Sequence, residues 1–213
     1  MPVNYNYIVI EGNIGAGKTS LATMIAREFS ARLILEQFAE NPFLPGFYED
    51  PAKYSLAVEL SFLASRYKQM KEELEAQDFI SKFTIADYYF MKSLVFASAT
   101  LKGDEYNLYR QIFYIIYSSL PRPDLYIYLH LNPDKLLQNI QKRGRTYEKS
   151  ITIEYLSKIQ DSYFSFFRQN PDNKYLVADI NNIDFINNED HYKKIISAIF
   201  FNEYPVGLNR LIL

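Results

Sequence analysis

Apolar and β-branched residues from position 5 to 10 break at Gly12, and glycines at 12, 15 and 17 then lead into 19–29, whose apolar positions recur at helical spacing. The pattern predicts strand, glycine turn, helix. A second strand fits 32–35 and ends at Glu36, and glycine and prolines between 41 and 51 mark a loop or short helix. Leu56, Leu60, Leu63, Tyr67, Met70 and Leu74 fall three or four residues apart, which predicts one long helix over 52–77 with a buried face. A third strand over 83–87 ends on Asp87, and helical patterns follow over 88–100 and 105–120 until Pro121 and Pro123 stop them. Tyrosine alternates with Leu and Ile over 125–131, the clearest strand in the chain, and Pro133 opens the next helix. The pattern then predicts a helix over 153–169, a strand over 174–178 and a last helix over 191–200. Five strands alternating with helices imply a parallel sheet covered on both faces, with ligands held outside the carboxyl ends of the strands. No repeat, linker or heptad run divides the chain, so positions 1–213 read as one domain.

Composition narrows the classes of function. The 23 basic and 25 acidic residues leave a formal charge of −2, too little positive field to hold a nucleic acid polymer through its phosphates. A nucleotide-sized ligand remains open. With no cysteine, a disulfide framework, a thiol nucleophile and cysteine-ligated metals are excluded, and two histidines make imidazole metal sites poor expectations. The sequence shows no basic segment leading into an apolar leader and no run of 18 apolar residues, so the expectation is a soluble, cytoplasmic protein with no membrane partner.

The chemistry starts at Gly12-Asn13-Ile14-Gly15-Ala16-Gly17-Lys18-Thr19, which satisfies G-x-x-x-x-G-K-[ST] between a strand and a helix, the context that this phosphate-binding loop requires. Glycines let successive backbone N–H groups curl round a phosphate, Lys18 adds a point charge, and Thr19 offers a hydroxyl to Mg²⁺. The fold expected is therefore a P-loop kinase-like three-layer sandwich. A GTPase would need Asn-Lys-x-Asp, but Asn173-Lys174 is followed by Tyr175-Leu176. Glu36 ends the second strand near the P-loop, where a kinase of small alcohols needs a base for the attacking hydroxyl. Arg143 and Arg145, flanked by Lys142 and Lys149, form a basic loop at about 142–150 that fits a lid closing over a phosphate. Asp87 ends its strand as a magnesium carboxylate would.

Together, Gly12 to Thr19, Glu36, the stretches 40–44 and 47–51, the 59–66 helix and Lys142-Arg-Gly-Arg-Thr-Tyr-Glu148 resemble the deoxyribonucleoside kinases, most closely the bacterial deoxyadenosine/deoxyguanosine kinase branch. The resemblance runs in order over nearly the whole chain. It implies ATP and Mg²⁺ as cofactors, a small deoxynucleoside as substrate, a homodimer, and Glu36 as base for the 5′-hydroxyl. By the same matching, Asp87 lies near the metal and Arg143 and Arg145 act on the phosphates. Glu148 meets the sugar 3′-hydroxyl with Tyr48, Asp184 and Phe185 cover the adenine of ATP, and Glu59 and Arg66 read the base edge.

The chain also departs from the family pattern. The arginine expected after the acidic residue is Tyr88, a lid-helix arginine is Asn139, and Ser93 stands where many members carry a base-contacting aspartate. Arg143 and Arg145 alone, or Arg27, Arg66 or Arg110, are the expected replacements. Glu59 stands where many members have glutamine. An ionised carboxylate only accepts hydrogen bonds, and guanine offers two adjacent donors, so the expected substrate is a purine deoxynucleoside with deoxyguanosine ahead of deoxyadenosine, unless Arg66 pairs with Glu59. The alternatives are a nucleoside monophosphate kinase, such as a thymidylate kinase, and a nucleotide-binding regulator without turnover. The first would need a basic acceptor site near Glu36, yet 37–50 contains no Lys or Arg.

Overall fold

A computed structural model of the chain describes residues 4–37, 41–75, 81–145 and 148–212. Its elements run β1 (Tyr7–Gly12), α1 (Lys18–Phe29), β2 (Arg32–Ile34), α2 (Leu44–Glu49), α3 (Pro51–Glu75), β3 (Thr84–Ala86), α4 (Met91–Thr100), α5 (Gly103–Tyr117), β4 (Leu125–His130), α6 (Pro133–Arg143), α7 (Ile153–Gln169), β5 (Lys174–Asp179), α8 (Glu189–Phe201) and β6 (Gly207–Ile212). The strands form one sheet in the order β2-β3-β1-β4-β5-β6, with every neighbouring pair parallel. β1 is central and carries the P-loop.

Strand periodicity sorts the core into two layers, because successive side chains leave a strand on opposite faces. Tyr7, Val9, Tyr126, Tyr128, Tyr175 and Val177 point into one cluster with Leu63 of α3, Leu94 of α4, Phe113 of α5 and Tyr163 of α7. Ile8, Ile10, Ile127, Leu129 and Leu176 point into the other, against Leu21 and Ile25 of α1, Leu136 of α6 and Ile195 of α8. The alternation of tyrosine with aliphatic residues in β4 is thus a packing device. Its rings meet those of neighbouring elements, as where Tyr128 lies 4.9 Å from Tyr163 of α7 and Tyr126 lies 5.1 Å from Tyr175 of β5, and each fully buried side chain contributes about 2 kcal/mol.

Three expectations change. The sheet has six strands, not five: β6 adds to β5 in the register Lys174↔Gly207 to Asp179↔Ile212. As an edge strand it leaves Leu208 exposed, so its sequence lacks the apolar run of a central strand. The helix expected from 88 starts at Met91, because the chain after Asp87 stays outside it and Tyr89 donates its N–H to buried Glu11 at 2.7 Å. Leu60 is exposed, whereas Ser55, Val58, Glu59, Leu63, Arg66 and Met70 form the buried face of α3. That face holds two charged residues because it walls a pocket as well as a core. Position 40 and lid positions 146 and 147 lie outside the described residues, as do the last two positions of the helix expected over 52–77.

Candidate active site

The P-loop leaves β1 at Gly12 and turns into α1 through Gly15 (φ 83°) and Gly17 (φ 85°), both left-handed. A Cβ on Gly15 would sit 2.8 Å from the Leu136 carbonyl oxygen, and one on Gly17 would sit 3.0 Å from the Phe185 ring. Both sites therefore require glycine for conformation and space. Asn13 pins the loop from below: its Nδ2 donates to the Leu156 carbonyl at 2.7 Å and its Oδ1 accepts from Ile14 N at 2.8 Å. Asn139, where the family pattern places an arginine, instead donates to the Gly15 carbonyl at 2.9 Å. Lys18 Nζ donates to the Asn13 carbonyl at 2.9 Å. Burial and the nearby Lys92 lower its pKa to about 8.

Asp87 joins this loop to the acceptor side. One carboxylate oxygen accepts the Thr19 hydroxyl, and the other accepts the Glu36 backbone N–H at 2.8 Å. The two expected metal-binding groups therefore meet. No cluster of three acidic or imidazole groups suited to a metal exists among the described residues. A hydroxyl plus one carboxylate suits Mg²⁺, which keeps its remaining positions for phosphate oxygens and water.

Glu36 is buried between two cations. Arg66 reaches Oε1 through Nε at 2.9 Å and Nη2 at 2.8 Å, and Lys92 Nζ binds Oε2. Burial opposes ionisation, but Lys92 and Arg66 outweigh it and hold the Glu36 carboxyl at about 2. Arg66 also donates to Ser93 Oγ at 3.0 Å and lies 4.8 Å from the Phe62 ring. It does not hydrogen-bond Glu59. Thr100 donates to Glu59 Oε1 at 2.9 Å, while the buried Oε2 has no partner. Burial pushes the Glu59 carboxyl up to about 7.

A single pocket gathers Lys18, Thr19, Glu36, Tyr48, Glu59, Arg66, Asp87, Arg143, Arg145 and Glu148. Glu148 is buried, and Arg143 grips it through Nη2 at 2.6 and 2.8 Å and Nε at 3.2 Å, with Arg145 at 3.5 Å. Asp184 and Phe185 do not line this pocket. Asp184 caps its own turn through Asn187, and Phe185 packs behind Gly17.

Several pocket residues escaped the sequence reading. Lys92 is a lone lysine inside an apolar helix, and Phe62, Phe96 and Tyr155 complete the walls. Glu11 lies beneath the pocket, accepting from Tyr89 N and, at 2.8 Å, from the Tyr163 hydroxyl. An isolated charge within an apolar run was the available signal for Lys92 and Glu11.

A deoxynucleoside kinase family model matches residues 8–203. The chain belongs to the deoxynucleoside kinase family. It is 35% identical over 199 residues to the deoxyguanosine kinase of Bacillus subtilis (strain 168), covering 91% of this chain and 95% of that protein. The deoxyadenosine/deoxycytidine kinase of the same organism is 28% identical, with 90% of each chain covered. A solved deoxyadenosine kinase from M. mycoides with bound dATP has the same fold, at a TM-score of 0.77 and 24% identity over 91% of this chain and 98% of that one. The family makes this kinase a phosphotransferase. Its members differ in the base named, so base choice has to be argued from the pocket.

Proposed function

We propose that this kinase transfers the γ-phosphoryl of ATP to the 5′-hydroxyl of a purine deoxynucleoside, deoxyguanosine ahead of deoxyadenosine. The observation that carries the reading is Asp87, which binds Thr19 of the P-loop with one oxygen and the Glu36 backbone with the other. One side chain thus sets the distance between the phosphate cradle and the base, as in-line transfer requires.

The P-loop N–H groups and Lys18 hold the β and γ phosphates. Thr19 and Asp87 hold Mg²⁺, which when bound neutralises charge on the transferring phosphoryl. The 5′-hydroxyl oxygen attacks the γ-phosphorus, its proton passes to Glu36, and ADP leaves with the electrons of the broken bond. Glu36 is fully ionised at neutral pH, so its work is to orient the hydroxyl and accept the proton late, as a loose transition state allows. Arg143 and Arg145 turn from Glu148 to the phosphates when ATP enters, freeing Glu148 to meet the 3′-hydroxyl with Tyr48. Asp184 and Phe185 lie on the far side of the P-loop and flank the adenine of ATP.

The base lies between the aromatic walls Phe62 and Phe96 and is read by Glu59, whose unpartnered Oε2 supplies the missing acceptor. A monophosphate kinase would need a free cation for the acceptor's phosphate. Arg66 and Lys92, the cations beside Glu36, are both paired with its carboxylate, which favours an uncharged acceptor. We place the enzyme in the cytoplasm as a homodimer, using the face of α5 where Leu108 and Ile115 are exposed. No helix among the described residues is long and apolar enough to cross a membrane.

The test is ATP- and Mg²⁺-dependent phosphorylation of deoxyguanosine, deoxyadenosine, deoxycytidine and thymidine beside their monophosphates. Product from the purine deoxynucleosides is expected. Product from monophosphates alone would replace the reading with the monophosphate-kinase one, and ATP binding without product would favour a regulator.

A further inference from the structure

The family pattern calls for an arginine after Asp87, and this chain has Tyr88 there. The phenol of Tyr88 is buried and donates to Gln69 Oε1 at 2.8 Å, so the position supplies no charge to the pocket. Of the arginines expected to substitute, Arg27 and Arg110 are exposed and do not line the pocket. Arg66 reaches only Oε1 of Glu36, while Arg143 and Arg145 are held by Glu148. The second carboxylate oxygen, Oε2, faces Lys92, four residues after Tyr88 and just inside α4.

Lys92 is buried, a costly state for an ammonium unless it is paired. Its Nζ binds Glu36 and lies 5.5 Å from the ring centre of Phe96, one turn further along α4. Glu36 is thus clamped from two elements, with Arg66 of α3 on one oxygen and Lys92 of α4 on the other. The charges around it are Arg66, Lys92 and Lys18 against Asp87 and Glu11, with Tyr88 and Tyr163 also close. A carboxylate gripped on both oxygens cannot rotate, and rotation is what would most degrade its aim at an incoming hydroxyl.

We propose that Lys92 is the positioning residue for Glu36, so that the charge missing at Tyr88 enters the site from four residues further on. This rests on Glu36 facing the reacting hydroxyl. It goes beyond that reading by assigning a role to a residue outside the family pattern. Lys92 acts through Glu36, and its removal should therefore be felt in turnover and not in the binding of either substrate.

The experiment is a set of variants assayed with deoxyguanosine and MgATP: Lys92→Met, Lys92→Gln, Lys92→Arg, Glu36→Gln and the double variant Glu36→Gln/Lys92→Met, each checked by circular dichroism. Lys92→Met and Lys92→Gln are expected to lower kcat about a hundredfold with KM for both substrates within about threefold, the size of effect found for removing one preorganised polar group. Lys92→Arg should recover most of the loss, because it restores charge without restoring length. The double variant should be no slower than Glu36→Gln within about threefold, since a residue acting only through Glu36 has nothing left to position. Full turnover in folded Lys92→Gln would overturn the proposal, as would losses that multiply in the double variant. Full activity in Glu36→Gln alone would instead remove the base assignment on which the proposal rests, a result distinguishable from either of these. If Lys92→Met does not fold, Lys92→Gln and Lys92→Arg carry the test.

Discussion

At the phosphate end of the pocket, consecutive residues from Gly12 to Thr19 supply the cradle, the lysine and the hydroxyl. At the acceptor end, Glu36, Glu59, Arg66 and Lys92 arrive from the end of β2, from α3 and from α4, and none is next to another in the chain. The first end depends on backbone: two left-handed glycines and close approach to Leu136 and Phe185. The second depends on buried charge: a carboxylate between two cations, and another carboxylate with one oxygen left over. A backbone device fails by steric strain, and a charge device fails by losing a partner. The two ends should therefore break differently.

The largest effect belongs to the charge device. Glu36→Gln should lower kcat by about a thousandfold while leaving ATP and nucleoside affinity nearly unchanged, which single-turnover kinetics and titration calorimetry would read separately. The same change strands Lys92 and Arg66, so a thermal melt should show stability reduced by about 3 kcal/mol.

Next is the backbone device. Gly15→Ala places a Cβ 2.8 Å from a carbonyl oxygen at positive φ, a strain of about 1–3 kcal/mol. Here ATP should bind at least tenfold more weakly, measured by calorimetry, while the affinity for deoxyguanosine alone is unchanged. Weakening of both would mean that the two ends are not independent.

The smallest effect concerns base choice. Glu59→Gln should shift the ratio of kcat/KM for deoxyguanosine over deoxyadenosine about tenfold towards adenine, because the amide both donates and accepts. Since burial holds the Glu59 carboxyl near 7, this ratio should also rise with pH in the wild type. Below that value the neutral acid can donate to adenine, and above it the carboxylate accepts guanine's two donors. Competition assays at pH 6 and 8 would read the slope, which should vanish in Glu59→Gln.

The same contrast explains what the sequence disclosed. The P-loop and strands β1 to β5 were legible because each is a contiguous pattern with its own periodicity. Glu36 and Asp87 were legible because they end strands at the ligand edge of the sheet. Strand β6 was not, since an edge strand that leaves Leu208 exposed has no need of an apolar run. Lys92 was not, because its partner lies 56 residues away and only the fold brings α4 against the end of β2. Nor was the grip of Arg143 and Arg145 on Glu148, a pairing within one loop whose geometry depends on how Gly144 turns the chain at φ 73°. The resemblance puts Asp184 and Phe185 at the adenine of ATP, and the Phe185 ring does pack against Gly17 of the P-loop, apart from the pocket that holds the acceptor groups.

The decisive assay offers deoxyguanosine and deoxyguanosine monophosphate to the same enzyme with MgATP and follows the products by phosphorus NMR, with Glu36→Gln run in parallel. Appearance of the 5′-monophosphate from deoxyguanosine, stoichiometric with ADP and all but absent in Glu36→Gln, is the predicted result. A diphosphate formed from the monophosphate, with deoxyguanosine left untouched, would contradict the assignment of Glu36 as the base for an uncharged acceptor.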